Sequence, residues 1–331
     1  FIQATFINMD IEMYHAETDT PAMARTSNLN EELGMVNYVF TDKTGTLTKN
    51  VMEFKRCSIG GKMYGLPNVA SPSSSTSPSS SSAPDCELIK DIIQGNKGDR
   101  RSAQVEVLHE FMVMLSVCHT VIPERVNGNI IYHAASPDER ALVDGARVYG
   151  YIFDTRTPSY VEIDALGERF RYEILNVIEF TSARKRMSVI VRTPDGKIKI
   201  FCKGADSVIY ERLAPRPMDP NDLDGEGDDF RQTTLDHLEA FATEGLRTLC
   251  FASADIPESR YNWWREIYHK AELNLADREA KLEDAASIIE SKLNLLGATA
   301  IEDHLQDQVP ETLQALIQAD INVWVLTGDK Q

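Results

Sequence analysis

Residues 35–48 read MVNYVFTDKTGTLT. The run from Met35 to Thr41 is short and β-rich, and it stops at the polar turn Asp42-Lys43-Thr44-Gly45-Thr46, as a buried strand does when it ends at a chemical group. A second strand, INVWVL at 321–326, stops in the same way at Thr327-Gly328-Asp329. Before it come a strand-like stretch at 294–301 (NLLGATAI) and a helical spacing at 307–319 with Pro310 in its first turn. Strand, crossover helix and strand in that order predict a parallel sheet. In open parallel sheets ligands collect beyond the carboxyl ends of the strands, so the two acidic turns are expected to share one crevice. Everything between them is then an insertion.

The insertion has its own grammar. Gly60-Gly61, the Asp195-Gly196 turn between RMSVIVRT and KIKIFC, and an alternating stretch at 169–180 predict an antiparallel sheet. Apolar residues recurring at three and four predict helices at 105–117, 141–149, 234–244 and 261–289. Two segments cannot bury enough apolar surface to offset their ordering entropy and are read as loops: 71–82, which holds only Ser, Thr and Pro, and the Pro, Gly and Asp-rich 215–229. No repeat of solenoid length is present in the sequence.

Composition narrows the classes further. With 34 basic and 51 acidic side chains the 331 residues carry a formal charge of −17, which argues against coating nucleic acid. At 42% hydrophobic and 26% charged the chain can bury a real core, and its length suggests roughly two domains. It has no apolar run of the ~18 residues needed to span a bilayer and no signal-peptide pattern at its start. The cysteines Cys57, Cys86, Cys118, Cys202 and Cys250 are odd in number and widely spaced, which fits neither a disulfide framework nor a zinc ribbon and suits a reducing setting. Cys118-His119 alone lacks further ligands and reads as the end of a helix.

A carboxylate at a strand terminus, followed by Gly and small hydroxylated residues, suits nucleophilic attack on a phosphoryl group, because the backbone N–H groups of the turn can hold phosphate oxygens. The charge of carboxylate meeting phosphate calls for a divalent cation, and hard oxygen ligands at such a turn suit Mg²⁺. As a lone tetrapeptide, Asp42-Lys43-Thr44-Gly45 would more often be an ordinary capped turn. The longer string DKTGTLT, with PAMARTSNLNEELG before it and CHTVIPE (118–124), SPDE (136–139), EFTSARKRMSV (179–189), FCKGADSVI (201–209), EGLRTL (244–249) and LLGATAIEDHLQDQVPETL (295–313) after it, resembles the P-type ATPases over almost the whole chain. Among these it is most similar to the type IV phospholipid flippases, aminophospholipid-transporting branch.

That resemblance implies an α/β fold: a haloacid-dehalogenase-like parallel-sheet P domain, incomplete here, interrupted by an α+β nucleotide-binding N domain with an antiparallel sheet. The expected boundaries are 1–34 for a membrane-helix extension and linker, 35–49 and 294–331 for the P domain, and 50–293 for the N domain. It further implies that Asp42 is the phosphorylated nucleophile, that Lys43 contacts nucleotide phosphates, and that Asp42 and Thr44 hold Mg²⁺. Thr327, Gly328 and Asp329 match the family's TGD motif beside the γ-phosphate. In the insertion, Phe180 would stack on the adenine of ATP, Glu139 would approach base and ribose, and Lys203 and Arg247 would contact the nucleotide, with Gly204 giving close backbone approach and Ser182 and Met187 lining the pocket. Read singly, Phe180 would more often be core and Lys203 and Arg247 surface cations. The run Arg184-Lys185-Arg186, by default a solvated face, is expected beside Phe180 to supply positive potential for the triphosphate. Arg140 departs from the subfamily's small residue and either shapes the pocket rim or points to solvent.

The implied activity is ATP-driven movement of phospholipid, with phosphatidylserine or phosphatidylethanolamine as cargo, from the exoplasmic to the cytoplasmic leaflet. The implied setting is the Golgi, endosomal or plasma membrane, with this portion cytosolic and an accessory two-span membrane glycoprotein as partner. Neither a GDGxND-like nor a DGET-like string occurs, and FIQATFINMDIEMY (1–14) resembles the continuation of a membrane helix, so a cytoplasmic fragment that binds ATP without turnover is expected. Three alternatives remain: an ion-transporting pump, a nucleotide-binding or partner-docking module, and a soluble phosphatase of the haloacid-dehalogenase type. The last usually carries an acid two residues after its nucleophile, where this chain has Thr44.

Overall fold

The computed structural model describes residues 2–16, 18–25, 32, 34–65, 87–88, 90–92, 103–215, 230–274 and 277–326. In chain order, the elements of the first half are α1 (Ile2–Asn8), β1 (Tyr38–Asp42), β2 (Thr48–Ile59), β3 (Lys62–Tyr64), α2 (Ala103–Val117), β4 (Ile122–Val126), β5 (Asn129–His133), α3 (Pro137–Val148), β6 (Tyr151–Arg156) and β7 (Tyr160–Ala165). There follow β8 (Glu168–Ile178), β9 (Arg186–Arg192), β10 (Ile198–Gly204), α4 (Asp206–Tyr210), α5 (Arg231–Thr243), β11 (Arg247–Ile256), α6 (Glu258–Glu272), α7 (Arg278–Ile289), β12 (Asn294–Leu305), α8 (Val309–Gln318) and β13 (Asn322–Leu326). The chain divides into two compact units, residues 1–50 with 304–331, and residues 51–303.

In the first unit β1 pairs in parallel with β13, in a register that sets Phe40 against Trp324 and Asp42 against Leu326. The crossover helix α8 precedes β13, as its spacing predicts. The other half of that expectation fails: β12 does not join this sheet. It pairs antiparallel with β11 and lies beside β2, where a Cβ on Gly297 would sit 2.0 Å from the Ser58 carbonyl oxygen. Glycine is therefore what lets the backbone of β2 approach, and the first unit resumes at 304 instead of 294.

The second unit is built on a nine-stranded sheet in the order β3-β2-β12-β11-β10-β9-β8-β7-β6, with a separate β4-β5 hairpin. Pairings from β12 through β6, and between β2 and β3, are antiparallel. Both expected hairpins form; Gly196 (φ +86) closes β9 to β10, and Gly60 and Gly61 (φ +56 and +79) close β2 to β3. Two cores flank the sheet. On one side Phe111 and Leu115 of α2 and Leu142 of α3 pack on Phe153, Ile163, Val189 and Phe251. On the other, Leu238 of α5, Trp264 of α6 and Ile289 of α7 pack on Ile190, Ile200 and Cys250. Covered on both faces, β9 is buried from Arg186 to Val191.

The single helix expected over 261–289 is instead two. α6 stops at Glu272, Asp277 takes a left-handed turn (φ +55), and α7 folds back so that the Trp264 indole N–H donates to the Ala285 carbonyl at 2.7 Å. Folding back lets both helices bury an apolar face on the sheet, which one straight helix would not. The segments 71–82 and 216–229 lie outside the described residues, as does Cys86; Cys57, Cys118, Cys202 and Cys250 are buried free thiols. No helix among the described residues is long and apolar enough to cross a membrane, and α1 leaves Ile2 and Phe6 exposed.

Candidate functional site

Four strands of the large sheet meet at one pole. β8 ends at Ile178 opposite Ser188, β9 begins at Arg186 opposite Gly204, and Gly204 faces Cys250 of β11, which begins at Arg247. Register alone therefore gathers Phe180, just past β8, with Lys203 and Arg247. Phe180 is 58% exposed, so its ring is not core, contrary to the commoner fate of a strand-end phenylalanine. A Cβ on Gly204 would lie 2.5 Å from the Lys185 carbonyl oxygen, so the close approach this glycine permits is that of the neighbouring strand.

The first turn of α3 reaches the same pole with two adjacent carboxylates, which the helical turn splays so that each meets a different cation. Asp138 accepts from Arg247 Nη1 at 3.0 and 3.1 Å. Glu139 Oε1 accepts from Lys203 Nζ at 2.7 Å, and both residues are buried. Oε2 of Glu139 accepts from the Thr120 amide at 2.9 Å and the Thr120 hydroxyl at 2.7 Å. Burial alone would raise the Glu139 carboxyl, but the Lys203 charge and the hydrogen bonds from Lys203 and Thr120 outweigh it and hold the group well below the usual carboxylate range. Of the carboxylate's roughly four acceptor positions these bonds fill three.

Thr120 is itself held by its neighbour. His119 is buried, its Nε2 contacts the Ser116 carbonyl at 2.9 Å, and its Nδ1 accepts from the Val121 amide at 3.2 Å. Those partners assign the proton to Nε2. Burial, then the nearby charges of Lys203 and Arg156, push the imidazole down to about 3, so it stays neutral. Cys118-His119 does close α2, as its sequence suggests, and it also props the residue that holds Glu139.

The expected cationic run resolves differently. Arg184 and Arg186 are buried and spent on acids: Arg184 Nη2 donates to Glu290 Oε1 at 2.5 Å, Arg186 Nε to Glu290 Oε2 at 2.7 Å, and Arg186 Nη2 to Glu283 Oε1 at 2.6 Å. Only Lys185, left-handed at φ +51, stays exposed. Of the three charges only that of Lys185 is left facing solvent. Met187 is buried in the core, Ser182 is exposed, and Arg140 points along α3 to Asp144 at 3.5 Å and away from the pole.

In the first unit Asp42 is exposed at the end of β1. The turn after it places Gly45 at φ +77 and closes with the Gly45 amide donating to Thr48 Oγ1 at 3.2 Å. Asp42 and Thr44 offer only hard oxygens, a donor set that fits Mg²⁺. No group of three or more His, Cys, Asp or Glu suited to a metal occurs among the described residues. Thr327, Gly328 and Asp329 lie outside them, although the register sets Asp42 beside Leu326, the residue before Thr327.

The family model described as P-type ATPase, cytoplasmic domain N, matches residues 107–308, more than half of the chain. The chain belongs to the P-type ATPase family. Similar relatives include phospholipid-transporting ATPases of Schizosaccharomyces pombe (47% identical) and Saccharomyces cerevisiae (DRS2, 46%), each over 100% of this chain. The human phospholipid-transporting ATPase IC is 45% identical over 99% of it. These alignments cover 24–26% of the relatives, so this P-type ATPase chain spans about a quarter of their length. Within the family's N domain, sequence reading missed Asp138, Thr120 and the acids Glu283 and Glu290. Asp138 was visible beside Glu139 in SPDE; nothing local marks the other three.

Proposed function

We propose that the second unit binds ATP at the pole carrying Phe180, Lys185, Lys203 and Arg247, and that Asp42 of the first unit accepts the γ-phosphoryl group. The observation that carries the reading is the pole itself: an exposed aromatic ring at the sheet end where Lys203 and Arg247 are held in place by carboxylates of one helix turn and Lys185 stays exposed. An aromatic face offers offset stacking to a flat base, and Lys185 supplies a point charge for phosphate oxygens on a chain that otherwise repels them. The remaining acceptor position of Glu139 suits an N–H or O–H of the base or ribose.

At Asp42 the reaction is an in-line transfer: a carboxylate oxygen bonds to the γ-phosphorus as the bond to the ADP oxygen breaks. Lys43 neutralises phosphate charge and Gly45 lets the backbone come close. Asp42 and Thr44 would hold Mg²⁺, which, when bound, offsets the charge of carboxylate meeting phosphate. Thr327, Gly328 and Asp329 complete the phosphate-facing side in this proposal. The domain boundaries follow, with residues 50–293 as the core of the N domain and β12 added to it.

In the whole protein this chemistry would drive phospholipid, phosphatidylserine or phosphatidylethanolamine, from the exoplasmic to the cytoplasmic leaflet of a Golgi, endosomal or plasma membrane, alongside an accessory two-span glycoprotein subunit. The names of the relatives support lipid over ion as cargo. The test is incorporation of label from γ-labelled ATP into the full-length protein. Acid-stable label lost in Asp42→Asn is expected, and label that persists in Asp42→Asn would refute the assignment.

A further inference from the structure

Phe180 belongs to neither core, so its direction is set by the backbone of its own turn. That turn is tied by two backbone amides and by one guanidinium that reaches outside the hydrogen-bonded loop. Arg184 Nη1 donates to the Glu179 carbonyl at 2.7 Å, directly before Phe180, while the Arg184 amide donates to Thr181 Oγ1 at 3.2 Å and the Lys185 amide to the Thr181 carbonyl at 2.8 Å. The remaining nitrogens of Arg184 face acids from α7 and its end: Nη2 meets Glu290 Oε1, and Nε lies 2.6 Å from Glu283 Oε2. Glu290 is fully buried and caps the carbonyl end of α7, where the helix dipole disfavours negative charge. It is stabilised there by Arg184, Arg186 and the Ser188 hydroxyl at 2.5 Å. Two arginines and two glutamates leave the cluster neutral overall. Lys185, left-handed between its two inward-turned neighbours, is thereby thrown outward, and its carbonyl accepts from the Ala205 amide at 3.1 Å beside Lys203 and Gly204.

We infer that Arg184, anchored by Glu290 and Glu283, is a positioning residue for the nucleotide site: it clamps the 179–185 turn so that Phe180 and Lys185 are presented together to the ligand. The inference rests on the assignment of Phe180 as the base-stacking ring. On this account helix α7 acts on the site without touching the ligand, across 106 positions of sequence.

The experiment is a titration of the chain with Mg-ATP, following affinity in four forms: wild type, Phe180→Ala, Arg184→Met and the double variant. Phe180→Ala should weaken binding about tenfold, the scale of a lost base–aromatic stack. Arg184→Met should weaken it at least about threefold, and the further loss it brings in the double variant should be smaller than its loss in wild type, because the part that acts through Phe180 is already gone while the part that acts through Lys185 remains. Wild-type affinity in Arg184→Met, or losses that multiply in the double variant, would overturn the clamp while leaving the stacking assignment intact. Unchanged affinity in Phe180→Ala would overturn the stacking assignment and the clamp with it. If Arg184→Met does not fold by circular dichroism, Arg184→Lys, which keeps the cluster's charge but lacks the forked Nη1 that reaches the Glu179 carbonyl, replaces it with the same non-additivity expected and the same contrary results.

Discussion

Acidification should destabilise the second unit through His119, and replacing that residue should remove much of the effect. The imidazole is wholly enclosed, receives the Val121 amide on Nδ1, and lies near the charges of Lys203 and Arg156, with Glu139 the opposing acid. A second proton would have to sit on Nδ1, facing the Val121 N–H. The folded chain therefore keeps the ring neutral down to about 3, whereas the unfolded chain binds a proton near 6.5. Between these values the unfolded state holds more protons, so stability is complete above about pH 6.5 and falls as pH drops towards the folded value. Each pH unit contributes about 1.4 kcal/mol, so lowering pH from about 8 to about 5 removes about 2 kcal/mol through this residue. The assay is urea unfolding followed by circular dichroism at several pH values for wild type and His119→Gln. The variant starts less stable at high pH, having lost its ring contacts, but its stability should fall about 2 kcal/mol less over that interval. Parallel pH profiles for the two proteins would refute a neutral, enclosed His119.

Other perturbations discriminate among the contacts of the pole. Thr120→Val leaves the charged Glu139 one donor short and should cost about 1.5–3 kcal/mol in chemical denaturation, with Thr120→Ser close to wild type. Lys203→Met strands a buried carboxylate and should cost about 3–5 kcal/mol, whereas Arg247→Ala, removing a partly exposed pair, should cost about 1 kcal/mol or less yet weaken ATP binding in the same titration. Gly204→Ala drives a methyl against the Lys185 carbonyl and should lower stability by about 1–3 kcal/mol in urea unfolding.

Much of the architecture was legible where local patterns decide it. Asp195-Gly196 between alternating strands admits one reading, and the apolar spacing of 105–117 marks a face that must be covered. The same holds for the parallel pairing of β1 with β13, announced by two apolar runs that are each followed by a short stretch containing Thr, Gly and Asp. What escaped depends on partners distant in sequence. NLLGATAI is a buried strand in either sheet, and only the approach of β2 to Gly297 decides which. The run Arg184-Lys185-Arg186 reads as one charged face because the acids that bury its first and third members stand at 283 and 290. Of the site, Phe180, Glu139, Lys203 and Arg247 are brought to one pole, but Thr120 gave no local sign, since a threonine after a helix usually does no more than close it.

The central claim is that ATP occupies this pole of the sheet. An amide NMR titration of the isotopically labelled chain with Mg-ATP tests it most directly. Shifts concentrated at Thr120, Glu139, residues 180–186, residues 203–205 and Arg247, with Gly167 and Gly196 at the opposite pole unmoved, are the expected result. Saturable shifts centred on the opposite pole, or none at millimolar nucleotide, would contradict the account.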